Sequence, residues 1–187
     1  HEHYNYWSLI SLKNFFNQFN ATIYKAEKVN THGGSIRVYV KKNKKIKIDK
    51  TVQQLIKEEL NYGMDNFKTY QKFADKVYKI RENVIKNISN LRKSDEKIIG
   101  FGAPAKATTS LNFFGISNQI DFIVEDNKLK HKKFIPGVKI PIHPKEKIKD
   151  INNTMIVLAW NFFDDIKKNN KGLSKNFINI KSLEKDS

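Results

Sequence analysis

The apolar rhythm changes at Glu96, and that change restricts the chain to few folds. Lys97-Ile98-Ile99-Gly100-Phe101 reads as a strand, and Pro104 to Phe114 as a helix. Ile120 to Val124 is a strand, and Val138 to Ile140 a short extended piece after Pro136-Gly137. Thr154 to Ala159 is a strand, Phe162 to Asn169 a helix and Asn176 to Ile180 a last strand. Strands alternating with helices bury both faces of a parallel sheet. The expected class is therefore α/β, with a Rossmann-like parallel sheet flanked by helices.

The first forty residues obey a different pattern. Leu9, Leu12, Phe15, Phe16 and Phe19 recur at helical spacing behind Ser8 or Ser11 as a cap. Thr22 to Lys28 and Ser35 to Val40 then read as two strands around Asn30-Thr31-His32-Gly33-Gly34. Two strands and one helix do not make a stable domain alone, which predicts a remnant of a larger sheet. Val52 to Asn61 is a short helix and Asn66 to Lys93 a long one. The long helix carries a stripe of Phe67, Tyr70, Phe73, Ala74, Val77 and Tyr78 continuing to Leu91. Such a stripe most often faces a core.

Composition narrows the partners. The net charge is +16, a value that invites a nucleic-acid reading. Yet Arg37, Arg81 and Arg92 are the only arginines among 35 basic residues, and the lysines are spread along the chain. Nucleic-acid readers rely on arginine for bidentate contacts, so a basic nucleic-acid-binding adaptor is kept only as an alternative. The milder implication is an anionic small substrate. No apolar run approaches the ~20 residues of a membrane span, so no membrane partner is expected. There are no cysteines, which removes disulfides, thiolate metal sites and a Cys nucleophile. A cytoplasmic location is the expectation compatible with that.

Three constellations carry potential chemistry. Gly100, Gly102, Ala103, Pro104 and Lys106 lie where a strand turns into a helix. Glycines permit close backbone approach, a helix N-terminus favours an anion, and Lys106 adds a charge. This is half of a dinucleotide fingerprint, with Lys106 at the third glycine position and Glu125-Asp126 near the place of a ribose-binding carboxylate. An NAD-binding oxidoreductase domain is thus a second alternative. Gly33 and Gly34 form the turn between the first two strands and His32 and Arg37 flank it, as a ligand-facing loop or a plain surface hairpin. His1-Glu2-His3 offers an imidazole beside a carboxylate, suited to general base catalysis. Metal chelation by two such histidines lacks a third ligand, so no metal site is read in this chain. Trp160-Asn161 ends a parallel strand, where sites gather.

Taken in order, HEHYNYWSL, THGGSIRVYV, GFGAPAKATTSLNFFGI, FIPGVKIPIHP and LAWNFFDDI resemble the C-terminal part of S-adenosylmethionine-dependent nucleotide-sugar C-methyltransferases. The resemblance runs from His1 to about Ile180. It implies residues 1–41 as the end of a class I methyltransferase domain, a helix with an antiparallel strand pair. Residues 42–95 are then linking helices, and 96–187 a Rossmann-like C-terminal domain. It implies a nucleotide-linked keto-deoxysugar as substrate, with S-adenosylmethionine bound by an upstream domain and zinc in an N-terminal region beyond it. It implies proton removal beside a sugar ketone, then transfer of the methyl group to carbon. His3 matches the base of the family motif Tyr-His-Glu-His, Glu2 its carboxylate and His1 its first imidazole. On this reading the chain starts inside that motif, lacks the methyl-donor fingerprint and is inactive by itself. His32 to Arg37, Gly100 to Lys106 and Trp160-Asn161 are then expected to face the substrate.

Overall fold

The computed structural model describes residues 5–31, 34–42, 45–92 and 97–186. The chain forms two compact units, His1–Ala74 and Asp75–Ser187.

In the first unit, α1 (Leu9–Gln18) opens on a capping box: Ser8 Oγ accepts the Ser11 N–H, and Ser11 Oγ accepts the Ser8 N–H. The Glu59 carboxylate accepts the N–H groups of Leu9 and Ile10 at 2.6 and 2.8 Å. Together with the two serine bonds, this satisfies all four amides that a helix start leaves unpaired, those of Ser8 to Ser11. β1 (Thr22–Val29) and β2 (Ser35–Lys41) form an antiparallel pair with an irregularity between Ile23 and Lys25. Glu59 lies on α2 (Lys50–Tyr62), which is capped by Asp49 and ended by Gly63 at φ 80°. Leu9, Ile23, Ala26 and Val52 form the small core, with Leu12, Phe16, Ile36, Val38, Leu55 and Ile56 packed around it.

α3 (Phe67–Arg92) spans the division between the units. Its stripe behaves differently along its length. Val84 and Ile88 are fully buried, whereas Phe67 and Phe73 are 74% and 65% exposed. The core-facing stripe expected from the sequence therefore holds only for the second half. Helical spacing reveals an apolar face but not how much of it is covered.

Among the described residues the second unit holds five parallel strands: β3 (Lys97–Phe101), β4 (Phe122–Val124), β5 (Ile142–His143), β6 (Asn153–Val157) and β7 (Asn176–Asn179). Their order is β5-β4-β3-β6-β7. The chain builds outward from β3 in one direction, then returns to add β6 and β7 on the other side. This is the α/β fold that the alternating pattern predicted. Alternate residues feed two cores. Ile98, Ile123, Ile156 and Leu158 pack with Val84 and Ile88 of α3, and with Ala107 and Leu111 of α4 (Ala105–Phe114). Ile99, Phe101, Met155 and Val157 pack on the opposite face with Phe163 and Ile166 of α5 (Phe163–Asn169).

One strand lies elsewhere than expected. Residues 138–140 do not form β5, which begins at Ile142. Gly137 at φ 82° and Lys139 at φ 57° turn the chain through the left-handed region, so the segment cannot extend until Pro141. Among the described residues no helix is long and apolar enough to cross a membrane.

Candidate functional site

In open parallel sheets, ligands bind beyond the carboxyl ends of the strands where the strand order reverses. Here the reversal lies between β3 and β6. A cavity of about 260 Å³ opens there, lined by Pro104, Ala105 and Lys106 after β3 and by Leu158 to Phe162 after β6. Four residues singled out in the sequence, Pro104, Lys106, Trp160 and Asn161, thus share one pocket.

The local sequence explains the shape. Pro104 is the N-cap of α4, extended at φ −72° and ψ 166°, and no side chain caps that helix. The Ala107 N–H donates to the Pro104 carbonyl at 2.9 Å, which leaves the Ala105 and Lys106 amides to solvent or ligand. Gly102 sits at φ 88°, and a Cβ there would lie 3.0 Å from the Ala159 Cβ. The β3 and β6 connections can therefore approach each other only with glycine at this position. After β6, a single turn of 3-10 helix at Trp160–Phe162 leads into α5 and places Trp160 and Asn161 along the pocket. Lys106 Nζ lies 5.1 Å from the centre of the Trp160 ring, a cation–π distance.

The turn itself is not an open anion cradle. The Gly102 N–H donates to the Val124 carbonyl at 2.8 Å, and the Ala103 N–H to Glu125 Oε2 at 2.8 Å. The Ala103 carbonyl accepts from Lys130 Nζ at 2.9 Å. An anion would be met by Lys106 and the start of α4. Gly100 is not in the turn at all: it is buried inside β3. A Cβ there would lie 2.7 Å from Ile123 Cγ1 and 3.1 Å from Leu158 Cδ1. Its role is close packing. Ala103 is buried and packs against the same core as α3 and α4.

Glu125 differs from its sequence reading. Besides Ala103, its carboxylate accepts the Asn127 N–H at 3.0 Å and lies 3.5 Å from Lys130 Nζ. Burial pushes its pKa up. The Asn127 and Ala103 amides and the Lys130 charge outweigh that and hold it below the ordinary glutamate value. A carboxylate engaged in this way braces the β3–α4 turn and is poorly placed to take a ribose hydroxyl. Asp126 is exposed and paired with Lys145.

In the first unit, Gly34 takes φ 118° and donates its N–H to the Thr31 carbonyl at 2.9 Å. Arg37 lies on β2 with Nη1 3.9 Å from Glu27, which also accepts the Tyr39 hydroxyl proton. That hydrogen bond above all lowers the Glu27 pKa, with Lys25 and Arg37 adding to it against desolvation. His1, Glu2, His3, His32 and Gly33 lie outside the described residues. Among the described residues, no three His, Asp or Glu side chains come together to hold a metal ion, so nothing here supports zinc.

Sequence reasoning missed Lys181, whose Nζ lies 5.8 Å from the Trp160 ring centre. In a chain with so many lysines, its position just after β7 was the one available signal.

A family model described as C-methyltransferase C-terminal domain matches residues 30–179. The chain is 29% identical over 179 residues to C-methyltransferase NovU of Streptomyces niveus. That alignment takes in 94% of this chain and 43% of the relative, so the chain spans less than half the length of NovU. With most of its length matched, and with a parallel sheet whose switch point carries a formed pocket, the chain belongs to the C-methyltransferase C-terminal domain family.

Proposed function

We propose that this chain is the nucleotide-sugar-binding portion of a sugar C-methyltransferase, and that the pocket between the ends of β3 and β6 receives the nucleotide-linked keto-deoxysugar. The observation that carries the reading is the convergence of Lys106, Trp160 and Asn161 on that pocket in a chain of this family. The chemistry fits. An indole offers a flat face to a base or sugar, an ammonium attracts phosphate, and an amide fixes orientation by hydrogen bonding. In the whole protein, His3, with Glu2 and His1 beside it, would take the proton from the carbon next to the sugar ketone. A base oriented by a carboxylate suits so weak a carbon acid. We place this chemistry in the cytoplasm.

A methyltransferase in general implies S-adenosylmethionine. The residues described here do not fit that group: Glu125, where a nucleoside ribose would be held, is spent on the Ala103 and Asn127 amides. The same argument weakens a dinucleotide site. The methyl donor belongs, on this reading, to residues outside this chain.

Calorimetric titration tests the proposal. The expected result is saturable binding of thymidine- or uridine-diphosphate sugars, with none of NADH. Saturable NADH binding without nucleotide-sugar binding would overturn it.

A further inference from the structure

The family match stops at residue 179, yet the chain continues into a 3-10 turn, Ile180–Glu184, whose construction is not that of a loose end. Ile180 and Leu183 are buried in the core shared by α3 and α4. Asn179 Oδ1 accepts the Lys181 N–H at 3.0 Å, and Ser182 Oγ donates to the Asn179 carbonyl at 2.7 Å. Two α3 amides hold the far side. Asn83 Nδ2 donates to the Glu184 carbonyl at 2.9 Å, and Asn87 Nδ2 to the carbonyls of Leu183 and Lys185, each at 2.9 Å. Asn83 is itself buried. A buried amide spent on a terminal backbone turn fixes that turn in place.

This anchoring leaves Lys181 pointing outward, with its ammonium 5.8 Å from the Trp160 ring centre. Lys106 comes to the same ring from α4 at 5.1 Å. Among the described residues neither lysine has a carboxylate within ion-pair distance. Lys28, Lys79, Lys130 and Lys145, by contrast, each do. Two cations without counter-ions, brought by separate elements to one indole at a pocket, form an arrangement that an anion with more than one charge would complete.

We propose that Lys181 and Lys106 form a two-lysine clamp for the diphosphate of the bound nucleotide. The C-terminal turn is thereby part of the substrate site although it lies beyond the matched family region. This rests on reading the β3–β6 pocket as the nucleotide-sugar site. Lys181 is a binding residue, with no part in the chemistry at the sugar carbon.

The test is calorimetry with uridine diphosphate, thymidine diphosphate and the matching uncharged nucleosides, at fixed moderate salt. Four proteins are compared: the unaltered chain, Lys181→Met, Lys181→Arg, and Lys185→Met as a control for general surface charge. Lys181→Met should weaken diphosphate binding roughly tenfold, the usual scale for losing one charge-assisted hydrogen bond. Nucleoside binding should not change, Lys181→Arg should retain most of the affinity, and Lys185→Met should stay within about twofold. Equal diphosphate affinity for Lys181→Met and the unaltered chain overturns the clamp and leaves the pocket assignment standing. An equal loss in Lys185→Met reduces the effect to overall charge and also overturns it. If the unaltered chain binds no diphosphate, the pocket assignment fails and the clamp with it.

Discussion

Two pockets open along the carboxyl edge of the parallel sheet, nearly equal in size and opposite in their use of charge. The one between β3 and β6 is about 260 Å³ and the one beyond β4 and β5 about 250 Å³. In the second, both carboxylates at the end of β4, Glu125 and Asp126, are answered by lysines. Lys145 pairs with Asp126 at 2.6 Å, Lys130 with Glu125 at 3.5 Å, and His131 Nε2 hydrogen bonds to the Glu125 carbonyl at 2.7 Å. At the first, Lys106 from the lining and Lys181 from beside it approach the Trp160 ring, and among the described residues neither pairs with a carboxylate. Satisfied charge holds a turn in shape, and unanswered charge beside an apolar wall is available to a ligand. On the reading proposed above, one pocket supports and the other binds, and substitutions can separate the two.

The largest expected effect is on the supporting side. Glu125→Ala leaves the Ala103 amide without its acceptor in a largely buried position, the glutamate side chain being 14% exposed. A loss of roughly 2–3 kcal/mol in stability is expected, read by urea unfolding. A loss below about 0.5 kcal/mol would mean that the brace is not needed.

Trp160→Ala comes next and should act on binding. Removing a central aromatic anchor costs about 2 kcal/mol, roughly a thirtyfold weaker nucleotide-sugar affinity by titration. Lys128→Ala in the other pocket should leave affinity within about twofold. Equal losses from both would erase the distinction between the pockets.

Acid should act on the supporting side as well. Glu125 has its folded pKa lowered, so its contribution is complete above the ordinary glutamate value, roughly pH 4, and is lost as pH falls through the lower folded value. Asp121 behaves in the same way. Burial raises its pKa, but the Arg92 guanidinium and the Ile98 N–H, at 2.7 and 2.9 Å, bring the net shift downward. Stability should therefore drop on acidification, and Glu125→Gln should flatten that dependence. A slope unchanged in Glu125→Gln would remove Glu125 from the account.

The smallest effect should follow Asp126→Asn, which breaks the Lys145 pair. The Asp126 side chain is 64% exposed, and such pairs are worth ~0–1 kcal/mol, so the melting temperature should hardly move.

Much of this architecture could be read in the sequence because it rests on local rules. Ser8 or Ser11 marked the start of α1, where the two act together, and the apolar run Ile98-Ile99-Gly100-Phe101 marked a strand. The Gly102–Lys106 turn marked the pocket because strand, glycine and helix start are adjacent in sequence. What stayed hidden depends on distant partners. Glu59 caps α1 from fifty residues away. Glu125 had the right position for a ligand-binding carboxylate, and only the fold showed that backbone amides occupy it. Lys181 reaches Trp160 because Asn83 and Asn87 hold the C-terminal turn, a constraint with no local signature. The exposed half of the α3 stripe shows the converse: Phe67 and Phe73 have core spacing without a core.

The most direct test of the central claim is the footprint of thymidine diphosphate on the backbone amide resonances of the chain. The account predicts shifts at Gly102 to Ala107, Leu158 to Phe162 and Ile180 to Leu183, with little change at Asp126 to His131 and Lys145 to Glu146. Shifts gathered at Asp126 to His131 and Lys145 to Glu146 would contradict it, as would no shift at saturating nucleotide.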